Sequence, residues 1–365
     1  GPYTFGDGPH MAANVQVHLL GGHIDPDTDE IVAAAEWTDA VHIDQGAIFA
    51  IDTVTGDRRV ISGAVTDPAR GYVEVGAGPS FVTPVDVRRG PDGQWYVLNV
   101  PGLTETMIYR VDPNTGDRAL VWRSMDSAFT QCPVGHGSRE GVQVRGWAFE
   151  LDPDGNVYLG FSNTAPTGEG VGIIKLDPSF STCSFVTRQG AMAGNAWQNV
   201  PVGGGWTIDR GEYRALSWKD GAIYATHDPE YALLRIDPLT GDRTRLSSGK
   251  STASFGSGPR GAGSMGLRHI AWDEARQVWW TMGRPGDTTI VVVDPVSARR
   301  WTMECGAVPD LPSWGACLDG ALSAGQSQND GGFWLKPNGD LWVAHDSMGV
   351  VLYEPETGNS VNFSL

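Results

Sequence analysis

Along this chain, short apolar runs alternate with polar positions at a period of two, and the runs come in pairs separated by turn residues. That pattern predicts half-buried β-strands joined as hairpins. One hairpin recurs six times, as IFAIDTVTGDRRVIS, IYRVDPNTGDRALVW, IIKLDPSFSTCSFVT, LLRIDPLTGDRTRLS, IVVVDPVSARRWTME and VVLYEPETGNSVNFS. Its anchoring acids, Asp52, Asp112, Asp177, Asp237, Asp294 and Glu354, are 60, 65, 60, 57 and 60 residues apart. In these turns proline sets φ and glycine supplies a positive φ.

A second hairpin precedes each of these: PVDVRRGPDGQWYVLNV, WAFELDPDGNVYLGFSN, YRALSWKDGAIYATHD, LRHIAWDEARQVWWTMG and GFWLKPNGDLWVAHD, with a less regular VQVHLLGGHIDPDTDEIVAAAEW opening the chain. Four strands per unit, six units and almost no helical periodicity predict an all-β fold, a six-bladed β-propeller with four antiparallel strands per blade. The propeller is expected as one domain over residues 15–365. Residues 1–14 are set apart as an N-terminal segment, because the opening Gly-Pro and the Gly-Pro-His-Met at 8–11 read as protease-site and cloning remnants. The first unit starts on an inner strand and the last ends on an outer one, so side-chain packing can close the ring and strand exchange is not required; a strand supplied by residues before Val15 is the alternative.

Composition fits this picture. With 40% hydrophobic residues, 49 Gly and 14 Trp, the chain is turn-rich and can fill a large core. Trp95, Trp147, Trp218, Trp272, Trp279 and Trp342 fall on strands and read as core, whereas Trp37, Trp197, Trp206 and Trp314 fall at strand ends or in loops and are better placed for a ligand. A formal charge of −17 repels phosphate backbones and anionic lipid, and no stretch approaches a membrane span. Nucleic acid and membrane are therefore not expected as partners; a small-molecule ligand and a monomer are. Cys132, Cys183, Cys305 and Cys317 lack zinc-site spacing. Of their three pairings, Cys305 with Cys317 and Cys132 with Cys183 is preferred, which points to a periplasmic or extracellular home. Four reduced, buried thiols are the alternative.

In a propeller, the linkers between blades open onto the same face as the loops between second and third strands. The linkers are long here, at 64–82, 124–144, 189–212, 249–266 and 305–330, and long loops in compact proteins tend to carry function. Residues at the adjoining strand ends converge on the axis: Glu36, Asp86, Asn99, Arg145, Asn163, Arg214, His227, Asp228, Arg268, His269, Arg284, Asp330, His345 and Asp346. His227 with Asp228, and His345 with Asp346, recur at one place in two blades, and His269 opens an inner strand between them. An imidazole beside a carboxylate is a candidate general base, although a strand-end His-Asp pair also serves simply to close a turn. Arg145, Arg214, Arg268 and Arg284 are candidate clamps for a substrate anion, or else struts paired with Asp86, Asp228 and Asp330. His18, His23, His42 and His136 receive no role. Gly-x-Gly-Pro at 76–79 and 256–259 reads as loop punctuation, and no nucleophile elbow, phosphate loop, dinucleotide fingerprint or zinc-protease motif is present.

The DPxTGDR-type hairpin following a GPDGxWYV or DPDGNVYL hairpin resembles the NHL-repeat, streptogramin-lyase-like and gluconolactonase-like propellers over about 350 residues. The gluconolactonase-like resemblance implies a divalent cation, calcium above all, on the axis. At the comparable positions Asp86 is acidic, while Ala148, Ala215, His269 and Gly332 are not that ligand set, and the branch's Gly-Glu-Ser-Pro opening is missing. Glu36, Asp86, Asn99, Asn163 and Asp228 are the oxygen donors from which a site would be rebuilt. The expected function is an exported hydrolase or lyase for an ester or lactone, with His269 or His227 as base. The alternative is a non-catalytic propeller that binds a small ligand, glycan or protein through its long loops.

Overall fold

The computed structural model describes residues 16–38, 45–67, 71–101, 105–124, 144–163, 171–189, 202–206, 211–228, 232–249, 255–257, 269–282, 290–302, 332–345, 349–354 and 359–363. Their strands form six antiparallel sheets, each built from strands consecutive in sequence, one of five strands and five of four. These are the six blades of a propeller. The inner strands, in chain order, are Gln16–Ile24, Pro84–Arg89, Val144–Leu151, Glu212–Lys219, His269–Asp273 and Phe333–Leu335. Each touches the next, and the sixth touches the first, so the ring is closed. No sheet borrows a strand from another blade among the described residues.

The fifth strand of blade one is Gly71–Val75, which continues the outer strand Arg58–Asp67. The stretch read as a linker from residue 64 is therefore partly sheet. Val65 pairs with Val73, and Gly63 with Val75, so the apolar positions meet across the new edge.

The core is divided among the seams between blades. Six apolar clusters fill six seams, one of which packs Trp334 and Trp342 of blade six against Ile31, Ala33 and Phe49 of blade one. The strand tryptophans Trp95, Trp279 and Trp342 are buried, in keeping with a core role; Trp218 and Trp272 are only partly so.

Arginines reinforce three of these seams. The Arg of the outer turn points back into the linker ahead of its own blade and onto a hydroxyl of the preceding blade. Arg118 donates to Pro79 O at 2.8 Å, Val75 O at 2.8 Å and Ser62 Oγ at 3.1 Å. Arg243 donates to Trp206 O at 2.9 Å, Val202 O at 3.1 Å and Thr187 Oγ1. Arg300 donates to Phe255 O at 2.7 Å and Ser247 Oγ at 2.8 Å. The Gly-x-Gly segments are thus docking strips rather than punctuation. Gly76 and Gly203, at φ of 75° and 76°, lie against Gly116 and Gly241 of the next outer turn, leaving no room for a Cβ.

Candidate functional site on the ring axis

Strand pairing sets a common level around the axis. Gly21, Asp86, Ala148, Ala215 and Ile270 face Ala34, Leu98, Gly160, Thr226 and Thr281, which hold equivalent places in the second strands. In blade six Gly332 stands here, its carbonyl accepting from Ala344 N at 2.8 Å. In the first four inner strands a β-bulge falls immediately before this level. Bulges add twist and re-aim side chains, and they gather beside functional sites. Two residues further along lies a second level, His23, Arg88, Glu150, Ser217, Trp272 and Trp334, one residue from each blade.

The charged groups of these two levels form one network. Arg88 donates to Asp86 Oδ1 and to Gly22 O of blade one at 2.7 Å, and its Nε lies 3.5 Å from Glu150 of blade three. Asp86 is 8% exposed. Burial pushes its carboxyl up to about 7, with Glu150 adding to the rise and the Arg88 charge opposing it. Burial also raises the Glu150 carboxyl against the pull of Arg88. His23 moves the other way: burial, then the charges of Arg88 and Arg89, lower it to about 3, so its ring is neutral. Burial works against the Arg88 charge too, but the two carboxylates outweigh it and hold the guanidinium above its ordinary value. A carboxyl that titrates near neutrality can both give and take a proton at working pH.

His269 opens the inner strand of blade five, partly exposed, its ring edge-on to Phe333 at 6.0 Å. Blade five lies across a six-membered ring from blade two, so His269 and Asp86 occupy opposite sides of the axis, one residue apart in level. His227 is fully buried, with Tyr213 and Trp206 edge-on at 5.5 and 6.3 Å. Arg214 is held by Glu212 at 2.8 Å and Asp228 at 3.3 Å, both within its own blade and so not a strut between blades. Arg268, Arg284 and Asp346, and the side chains of Arg145, Asn163 and His345, lie outside the described residues.

Of the proposed oxygen donors, the four whose side chains are described, Glu36, Asp86, Asn99 and Asp228, do not converge on one point. Glu36 accepts from Thr83 Oγ1 at 3.3 Å; Asn99 Oδ1 accepts from the amides of Val82 and Thr83 at 3.0 and 2.9 Å; Asp86 faces Arg88, and Asp228 faces Arg214. Among the described residues no group of three His, Cys, Asp or Glu could hold a metal ion, and a calcium ion does not fit these donors as they stand. The site instead draws on Arg88, Glu150 and His23, which the sequence reading passed over. A charged residue at the same inner-strand position in neighbouring repeats was the available signal.

No family model matches the chain, and no curated protein sequence matches it. Among solved structures, it is similar to a putative 6-phosphogluconolactonase from Bacteroides uniformis ATCC 8492, with 14% identity over 94% of this chain and 83% of that one and a TM-score of 0.49. A nidogen/laminin complex shows 9% identity over 96% and 94%, with a TM-score of 0.48. Streptogramin B lyase shows 10% identity over 96% and 87%, with a TM-score of 0.48. Likeness at this level carries no argument about chemistry. The chain is an all-β propeller by its own sheet topology, with the hairpin signature of the propeller groups it resembles.

Proposed function

We propose that this propeller is a small-molecule hydrolase or lyase whose ester or lactone substrate binds on the ring axis, with Asp86 as general acid–base and His269 as a second proton-transfer group across from it. The observation that carries this reading is a buried carboxyl, Asp86, held by Arg88 beside Glu150 so that burial raises it, at a level where Gly21, Ala148, Ala215 and Gly332 keep the inner strands small. In hydrolysis, the Asp86 carboxylate takes a proton from water as the water oxygen adds to the substrate carbonyl. The protonated acid then returns that proton to the departing alkoxide. In elimination, the same carboxylate takes a proton from the carbon next to the carbonyl and the leaving group departs with its electron pair. The disulfide at Cys183 supports an oxidising setting, and with it export.

The test is a panel of lactones and esters followed by variants on the best substrate. Asp86→Asn is expected to lower kcat by about 10²- to 10⁴-fold, with melting temperature and circular dichroism kept, and to erase the limb of the pH–rate profile near 7. His269→Gln is expected to lower it less, and chelation to leave the parent rate unchanged. Undiminished turnover in Asp86→Asn, or turnover lost on chelation and restored by calcium, would overturn the reading. Ligand binding without turnover, weakened by Asp86→Asn, would place the same site in the non-catalytic class.

A further inference from the structure

The axial network holds an arginine whose nitrogens are used differently from those of the seam arginines. Arg118 and Arg243 each donate through Nε, Nη1 and Nη2, so every nitrogen of the fork has a protein acceptor. Arg88 uses two of its three. Its Nη1 donates to Asp86 Oδ1, to Gly22 O of blade one at 2.7 Å and to Val87 O at 3.0 Å, and its Nε lies 3.5 Å from Glu150 Oε2 of blade three. Nη2 makes no hydrogen bond among the described residues, yet it is not sealed from solvent, and the side chain stays 14% exposed. The group that carries Nη2 is firmly seated. The Phe149 ring lies 5.9 Å from the guanidinium carbon, and Glu150 is itself fixed by the amides of Leu151, at 2.9 Å, and Trp218. Acceptors from three blades therefore hold the guanidinium plane and leave one end of the fork for a ligand.

We propose that Arg88 is a catalytic residue that donates from Nη2 to the carbonyl oxygen of the substrate and holds the negative charge that gathers there. The inference rests on the ester or lactone reading above and supplies the group that reading lacks, a donor for the oxyanion. Asp86 and Arg88 are alternate residues of one strand, paired with Leu98 and Tyr96, so their side chains leave the same face, beside the level that Gly21 and Ala148 keep small. As water adds, its proton passes to the Asp86 carboxylate, the new C–O bond forms and the carbonyl π pair moves onto oxygen. The negative charge that Arg88 faced on Asp86 is now on the substrate, and the same guanidinium meets it there through Nη2. When that pair returns to re-form the carbonyl, the bond to the leaving oxygen breaks and the Asp86 proton goes to the alkoxide. In elimination the charge gathers on the same oxygen as an enolate, so one donor serves either route. Arginine suits the task because its charge persists at working pH and its fork is planar and rigid.

Arg88→Lys keeps a charge for Asp86 and removes Nη2. It is expected to lower kcat by about 10²- to 10³-fold while KM stays within about twofold and the melting temperature is kept. Arg88→Ala should be slower still and should regain turnover, saturably, with millimolar guanidinium ion. A crystal of the parent protein with the phosphonate analogue of its best ester, which mimics the tetrahedral oxyanion, should show a phosphonyl oxygen in hydrogen-bond contact with Nη2, and this measurement does not depend on a variant that folds. Undiminished kcat in Arg88→Lys while Asp86→Asn is inactive, a rise in KM alone, or a phosphonyl oxygen seated on another donor overturns the role of Arg88 and leaves the proposed function standing. Undiminished turnover in Asp86→Asn, or no turnover of any ester or lactone by the parent, sinks the proposed function and the role of Arg88 with it.

Discussion

Asp86 and His23 face the same guanidinium from neighbouring blades, and their proton affinities move in opposite directions. Asp86 has an ordinary value of 3.8 and is raised to about 7, so between those values the folded chain holds a proton that the unfolded chain has released. Its contribution to stability falls as pH rises through that window. His23 has an ordinary value of 6.5 and is lowered to about 3, so here the unfolded chain binds the extra proton and stability rises with pH. From about pH 4 to 6.5 the two slopes cancel. Asn resembles the protonated carboxyl that the folded state holds in this window, so Asp86→Asn should keep the fold and remove only the falling slope. Urea unfolding at pH 4.5 and 6.5 is expected to show the variant gaining stability with pH, relative to the parent, by on the order of 2 kcal/mol. Identical pH slopes in the two proteins would mean that Asp86 does not hold its proton.

At the scale of the hairpin, the turn sequence carries two messages, of which only one is local. Asp, Thr and Gly in Asp237-Pro238-Leu239-Thr240-Gly241 specify the turn itself, with Asp237 Oδ1 accepting from the amides of Leu239 and Thr240 at 2.8 and 3.2 Å. That much is legible from five residues. The lock made by Arg243 is not, because its acceptors lie about 40 residues upstream and are mostly backbone carbonyls, which no residue type announces. The same limit hid the axial network. Arg88 and Glu150 sit at alternating polar positions that, on an ordinary sheet, would face water, and only the closing of the ring turns that face onto the axis. Asp86 was legible as a polar axial group, but its partner was not, so an oxygen donor for a cation and an acid held by arginine looked alike. Arg243→Met should cost about 2–4 kcal/mol in urea unfolding, since it deprives several buried carbonyls of a charged donor. Thr187→Val, which removes one acceptor and keeps the shape, should cost about 1 kcal/mol. Equal costs would mean that the arginine acts through Thr187 alone.

Over the whole molecule, the count of blades was legible because the 60-residue period is written six times, and each sheet of the described residues is made of strands consecutive in sequence. What closes the ring is a matter of fit. Among the described residues the seam between blades six and one has no shared strand, and it rests on the packing of Trp334 and Trp342 over a face of small residues, Ala33, Ala35 and Ala47. It also has an ion pair at its rim, Lys336 Nζ to Asp29 Oδ2 at 2.5 Å, with Asp29 60% exposed. Exposed pairs contribute about 1 kcal/mol or less, whereas overfilling a packed seam costs about 1–3 kcal/mol. Gly22 is where the difference can be read. A Cβ there would press on the Val32 carbonyl and lie 2.6 Å from Trp334 Nε1. Both must shift, the carbonyl against the strand pairing of His23 with Val32 and the tryptophan of blade six away from blade one. Gly22→Ala is therefore expected to lower stability by about 2–3 kcal/mol in urea unfolding, and Lys336→Met by less than about 1 kcal/mol. The reverse order would mean that the rim charge, and not the tryptophan wedge, holds the last blade to the first.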